Sequence, residues 1–105
     1  MGGERIITQL KQFKTSLSKD IPVTKMFLFG SRAWGKPHQD SDIDLIIVSP
    51  TFRKKKPLAR GLNLYDHWSL DYPVDFLCYT PEEFEKLKKK ITIVKEAVER
   101  GIEIR

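Results

Sequence analysis

A chain of 105 residues has room for one domain with a modest core, and 40% hydrophobic with 31% charged residues excludes a disordered polypeptide. No apolar run approaches the roughly 20 residues of a membrane helix, so no membrane partner is expected. A net charge of +5 favours anionic partners (nucleotide, nucleic acid or an acidic protein) without choosing among them.

In chain order, Ile6, Ile7, Leu10, Phe13 and Leu17 recur with helical spacing and predict a one-sided helix over 4–19, which Asp20-Ile21-Pro22 ends. Lys25–Phe29, short and apolar between Pro22 and Gly30, predicts a buried strand. Ser31–Gly35 predicts one helical turn capped by the Ser31 hydroxyl, and Lys36–Ser41 a polar loop. Ile43–Val48 predicts the second strand, followed by a basic loop over Ser49–Lys56. Pro57 in a first turn, then Leu58, Leu62, Tyr65 and Trp68, predicts a helix over 57–69 in which Gly61 costs up to ~1 kcal/mol.

Val74–Tyr79 predicts the third strand. Thr80-Pro81-Glu82-Glu83 is a capping box that opens the next helix, whose acidic start and lysine-rich end suit the helix dipole. A last helix over 92–100 stops at Gly101, and Ile102–Ile104 predicts an edge strand. With no internal repeat and no linker, residues 1–105 read as a single domain. The start of the chain, Met1-Gly2-Gly3-Glu4-Arg5-Ile6, holds no signal-peptide core, and a lone cysteine, Cys78, suits a reducing cytoplasm.

The chemistry concentrates between Phe27 and Ser49. Gly30-Ser31 ends an apolar strand, where a missing Cβ and the serine hydroxyl and amide suit a phosphate; Arg32 adds a positive charge. Asp42 and Asp44, two apart on a strand, leave one face with Cα atoms roughly 6–7 Å apart. Such a pair can share two cations about 3.5–4 Å apart, the arrangement of an in-line displacement. Asp75, a charge at the start of an apolar strand, is the natural third member, since buried charges are uncommon unless paired or metal-bound. Three clustered carboxylates would repel without cations, which points to bound Mg²⁺.

Convergence of Gly30, Asp42 and Asp75 on one ligand requires the first two strands to be antiparallel and the third parallel to the second. The segment near 57–69 then supplies a right-handed crossover. The expected fold is α/β, a small mixed sheet of three or four strands with helices packed on it. A calcium loop starting at Asp40 fails because Leu45 and Thr51 occupy the positions of its Gly and Glu. A phosphatase with an aspartyl nucleophile fails because its aspartates follow the apolar strand, whereas these precede it.

Gly30-Ser31, ten residues, Asp42-x-Asp44 among apolar neighbours and a later lone Asp75 together resemble the DNA polymerase β-like nucleotidyltransferase superfamily, and in length its minimal (MNT) branch. The resemblance implies metal-dependent transfer of a nucleoside monophosphate, usually AMP from ATP, to a hydroxyl. It implies Asp42, Asp44 and Asp75 as catalytic and metal-binding residues, Asp75 also helping to deprotonate the acceptor, and Gly30-Ser31 as the triphosphate-binding pair. Short relatives often read Gly-Ser-Arg-Ala-Arg-Gly; here Trp34 replaces the second arginine, so that phosphate contact is not expected. Many minimal members act as antitoxins that nucleotidylate an all-helical HEPN ribonuclease. With no residues left for a base- and acceptor-holding domain, a partner protein or a second copy is expected to complete the site.

Two other classes compete. A binding module would neutralise its partner by contact with little turnover, and Asp42→Asn/Asp44→Asn would then leave neutralisation intact. A basic RNA-binding accessory would keep salt-dependent RNA affinity without the acids, but no aromatic-rich RNA motif supports it. Arg53–Lys56 with Arg60, and Lys86 with Lys88–Lys90, read as solvated or dipole-matching charge. Trp34 reads as local packing, with stacking on a nucleobase as the alternative, Tyr65, His67 and Trp68 as packing or partner surface and Cys78 as strand core, and two histidines with one cysteine exclude a zinc site.

Overall fold

A computed structural model describes residues 2–29 and 43–105. The expectations for the Ser31–Gly35 turn, the Lys36–Ser41 loop and Trp34 lie outside the described residues. The elements are α1 (Gly2–Leu17), β1 (Lys25–Phe29), β2 (Ile43–Val48), β3 (Val74–Tyr79), α2 (Pro81–Leu87), α3 (Ile93–Arg100) and β4 (Ile102–Glu103). The sheet runs β3-β2-β1-β4, with β1 antiparallel to both β2 and β4, and β2 parallel to β3. β1, β2 and β3 are the predicted strands in the predicted directions, and β4 is the expected edge strand, one residue shorter than 102–104.

Alternation along the strands sorts the core into two layers. Met26, Leu28, Ile43, Leu45 and Ile47 face α1, which buries Leu10, Phe13 and Leu17 against them. Phe27, Phe29, Ile46 and Val48 face the other way, under Phe84 of α2 and Val94 and Ala97 of α3. Phe76 holds an aromatic cluster on the α1 side, its ring centroid 5.7 Å from Phe13 and 5.8 Å from Trp68. Trp68 is therefore packing, and its indole N–H donates to the Tyr72 carbonyl at 2.9 Å.

The helix ends follow local chemistry. Thr80 and Glu83 close the predicted capping box, the Glu83 N–H donating to Thr80 Oγ1 at 3.2 Å and the Thr80 N–H to Glu83 Oε1 at 2.8 Å. Thr92 is the N-cap of α3. Gly101 ends α3, but not as a left-handed cap, since its φ is −82°. A Cβ there would lie 2.5 Å from the Ala97 carbonyl oxygen and 2.6 Å from that of Leu28, so close approach to β1 demands the glycine.

The crossover departs from expectation. In place of a helix over 57–69 it forms separate 3-10 turns, Pro57–Ala59 and Leu62–His67, after a third at Pro50–Lys54. The basic stretch after β2 is thus not a loop: Ser49 caps that first turn and Phe52 is buried. The apolar spacing that suggests a helix belongs to the outer side, for Leu58 and Leu62 are exposed while Arg60 and Leu64 are buried. Contacts to β3 replace helical bonding. Arg60 Nη1 donates to the Cys78 carbonyl at 3.2 Å and to Glu83 Oε1 at 2.6 Å, and Gly61 lies against the Phe76 and Cys78 side chains. Among the described residues no helix is long and apolar enough to cross a membrane.

Candidate active site

The parallel ladder of β2 and β3 sets Ile43 opposite Val74, Asp44 opposite Asp75 and Leu45 opposite Phe76. Paired positions in a parallel ladder send their side chains to the same face, on strands about 4.8 Å apart. Asp44 alternates with Ile46 and Val48, and Asp75 with Leu77 and Tyr79, so both acids leave on the α2–α3 face. Each is the second residue of its strand, at the end of the sheet where β1 stops. There Phe29, the last residue of β1, is the antiparallel partner of Asp44 and is buried.

The row Phe29–Asp44–Asp75 therefore grades from apolar floor to water. Asp44 is half-buried and Asp75 exposed. Burial does not single out Asp75, contrary to the argument from its apolar strand; register does. Phe29, which the sequence suggests only as strand core, is the added member, and counting alternation along β1 from Phe27 is the signal that finds it.

Gly30, Ser31, Arg32 and Asp42 lie outside the described residues. In sequence Gly30 directly follows Phe29, and Asp42 precedes Asp44 by two. Carboxylate oxygens are the hard donors that Mg²⁺ takes, and two of the three predicted ligands are side by side, so the residues present fit a divalent cation. Among the described residues, groups of three or more His, Cys, Asp or Glu able to hold a metal do not occur.

The other candidates lie elsewhere or are engaged. Arg53 pairs with Glu82 on the surface, holding that carboxylate down at about 2. Arg60 is spent on Cys78 and Glu83, at the opposite end of β3 from Asp75. Burial pushes the Cys78 thiol up to about 12, which removes it as a nucleophile. His67 Nε2 donates to Asp20 Oδ2 at 2.5 Å and its Nδ1 is hydrogen-bonded with Ser16 Oγ at 2.8 Å, tying the end of α1 to the crossover.

Comparison with known proteins bears on the same features. The family described as "Nucleotidyltransferase domain" matches residues 10–100. The probable protein adenylyltransferase MntA of Haemophilus influenzae is 30% identical over 97 residues, spanning 90% of this chain and 85% of that protein. A crystal structure of a candidate nucleotidyltransferase from Sulfolobus solfataricus superposes with a TM-score of 0.65 over 85% of this chain and 79% of its own, at 22% identity, and so shares the fold. Sheet order, paired acids and a match over most of the length agree: the chain belongs to the nucleotidyltransferase domain family, in its minimal branch.

Proposed function

We propose that this chain transfers AMP from ATP, with Mg²⁺, to a hydroxyl on a partner protein, as the antitoxin of a HEPN/MNT pair in the cytoplasm. The observation that carries the chemistry is the register of Asp44 against Asp75, two carboxylates side by side at an open sheet end. The acceptor class is supported by the relative named as a protein adenylyltransferase.

Asp42, Asp44 and Asp75 hold two Mg²⁺ ions in this reading. When bound, the ions neutralise the triphosphate and lower the pKa of the acceptor hydroxyl. Asp75, exposed where Asp44 is half-buried, takes the acceptor proton, because an incoming hydroxyl can reach an exposed carboxylate directly. Asp44 carries no such access and serves as a ligand. The amide and hydroxyl of Gly30-Ser31 hold the triphosphate, and Arg32 offsets its charge. Nucleoside monophosphate passes to the acceptor oxygen and pyrophosphate leaves with the bridging oxygen's electrons. The chain acts as one domain, and the partner, or a second copy, supplies the surface that holds base and acceptor.

The test is incubation with labelled ATP and Mg²⁺, with and without a candidate all-helical HEPN partner protein. A gain of one adenylate on the partner, absent in Asp42→Asn/Asp44→Asn, supports the reading. Neutralisation of the partner by that double variant, with no mass gained by wild type, would replace it with a contact-only antitoxin.

A further inference from the structure

Ser16 of α1 and Asp20, just past its end, reach one imidazole through its two ring nitrogens. His67 Nε2 stands 2.5 Å from Asp20 Oδ2, and Nδ1 2.8 Å from Ser16 Oγ. A carboxylate only accepts, so the neutral ring carries its proton on Nε2 and its bare Nδ1 accepts from the Ser16 hydroxyl. The result is a hydroxyl–imidazole–carboxylate chain, the arrangement that activates a serine. Nucleotidyl transfer at the acid row leaves it unused.

Two features set this chain apart from a plain tie between α1 and the crossover. The neighbouring hydroxyls of Thr15 and Ser18 donate to carbonyls four residues back, of Lys11 at 3.0 Å and Lys14 at 2.7 Å, whereas Ser16 turns its hydroxyl to a base. In addition, a cavity of about 160 Å³ opens on both Ser16 and His67, lined also by Gln9, Gln12, Phe13, Ser69 and Leu70. Gln9, Gln12 and Ser16 recur at helical spacing on α1, so two carboxamides with N–H donors accompany the hydroxyl. The base is held in place. Its side chain is 17% exposed, and the next residue, Trp68, packs edge-on against Phe13 with ring centroids 5.1 Å apart.

We propose that Ser16 is an acyl-acceptor site that takes a short acyl group from an activated ester. The cavity lining holds no lysine or arginine, so a phosphoryl or nucleotidyl group would meet no fixed cation there. An uncharged carbonyl suits amide donors beside an apolar wall. The volume admits a group the size of acetyl or propionyl. In the step, Ser16 Oγ bonds to the carbonyl carbon and its proton passes to His67 Nδ1. The ester C–O bond then breaks; the leaving oxygen departs with the bonding pair and takes that proton, which returns the ring to its neutral form. Asp20 keeps Nε2 protonated throughout and stabilises the imidazolium between the two transfers.

The experiment treats the full chain with p-nitrophenyl acetate, reading p-nitrophenolate release by absorbance and the acetylated residues by peptide mass spectrometry. Ser16 is expected to be acetylated about tenfold or more faster than Thr15 and Ser18, and Ser16→Ala to lose the corresponding p-nitrophenolate release. His67→Gln should slow acetylation of Ser16 about 100-fold, the scale of losing a positioned base. Asp20→Asn removes the charge that stabilises the imidazolium, at a carboxylate 66% exposed where the fold is least disturbed, and should slow it about tenfold or more.

Thermal midpoints of the same variants separate a tie from a base. A lowered midpoint in His67→Gln with Ser16 acetylated at the wild-type rate overturns the proposal. Acetylation confined to lysines overturns it as well, as does a Ser16 rate equal to those of Thr15 and Ser18. Should His67→Gln unfold, Asp20→Asn decides alone, an unchanged Ser16 rate overturning the proposal.

Discussion

Asp44 on β2 and Asp75 on β3 are partners in a parallel ladder, one half-buried beside Phe29 and the other open to water. A parallel pair needs a crossover, and these two acids can therefore sit side by side only because some 25 residues intervene between the strands, 49–73. The crossover is a requirement of the site as well as of the fold.

Asp75→Asn is expected to lower adenylate transfer by about 100-fold or more, the scale of losing a positioned proton acceptor and ligand. Because Asp75 is exposed, its thermal midpoint should stay near that of wild type. Asp44→Asn/Asp75→Asn should be scarcely slower than the worse single variant, since in the proposed mechanism the two acids act as one unit. Near-wild-type turnover in Asp75→Asn would remove it from the site.

Gly101→Ala should destabilise by about 1–3 kcal/mol, the range for forcing atoms into a filled space. The added Cβ would meet two backbone carbonyl oxygens, of Ala97 and Leu28, so no flexible side chain can move aside. The shift must separate α3 and β4 from β1. Urea denaturation measures the loss, and hydrogen exchange at Ile104, whose N–H donates to the Met26 carbonyl at 2.8 Å, should locate it.

The strands and their directions are legible because each signal is local. Pro22 and Gly30 bound β1, the apolar run Leu45–Val48 makes most of β2, and the acids at one end dictate which strands run parallel. The crossover is not legible for the opposite reason. Its inner face is built by Arg60, whose partners Cys78 and Glu83 lie 18 and 23 residues away, and by a glycine against β3. Periodicity reports only that Leu58 and Leu62 share a side, and a core-facing helix and an outward, exposed apolar side give the same pattern. Asp75 is a different lesson: its place in the row was accessible from topology, whereas the expectation of burial was not met.

Cys78 should be inert toward alkylation in the folded protein. Desolvation raises its thiol to about 12, against the smaller opposing pull of the Arg60 and Lys55 charges. Near pH 8 the thiolate fraction, and with it the rate with iodoacetamide, should fall on the order of a thousandfold below that of the urea-unfolded chain. Rapid labelling under native conditions would mean that β3 opens readily along its crossover edge.

Acid should loosen the crossover through Glu83. The Arg60 guanidinium, then backbone and Thr80 hydrogen bonds, hold this carboxyl below its ordinary 4.5. A depressed folded-state value stabilises the fold above the unfolded value, and that contribution disappears as pH falls below 4.5 through the folded one. Glu83→Gln should cost about 1–2 kcal/mol near pH 7, less than for a fully buried pair because the glutamate is half-exposed. The gap to wild type should close in acid, where wild type itself loses the charge. Arg60→Met should cost less than Glu83→Gln, for it also removes a buried Nε that has no hydrogen-bond partner, whereas glutamine strands the guanidinium. Urea midpoints of the three proteins across acid pH decide the matter: parallel curves for wild type and Glu83→Gln would show that the Arg60–Glu83 pair does not hold the crossover to α2.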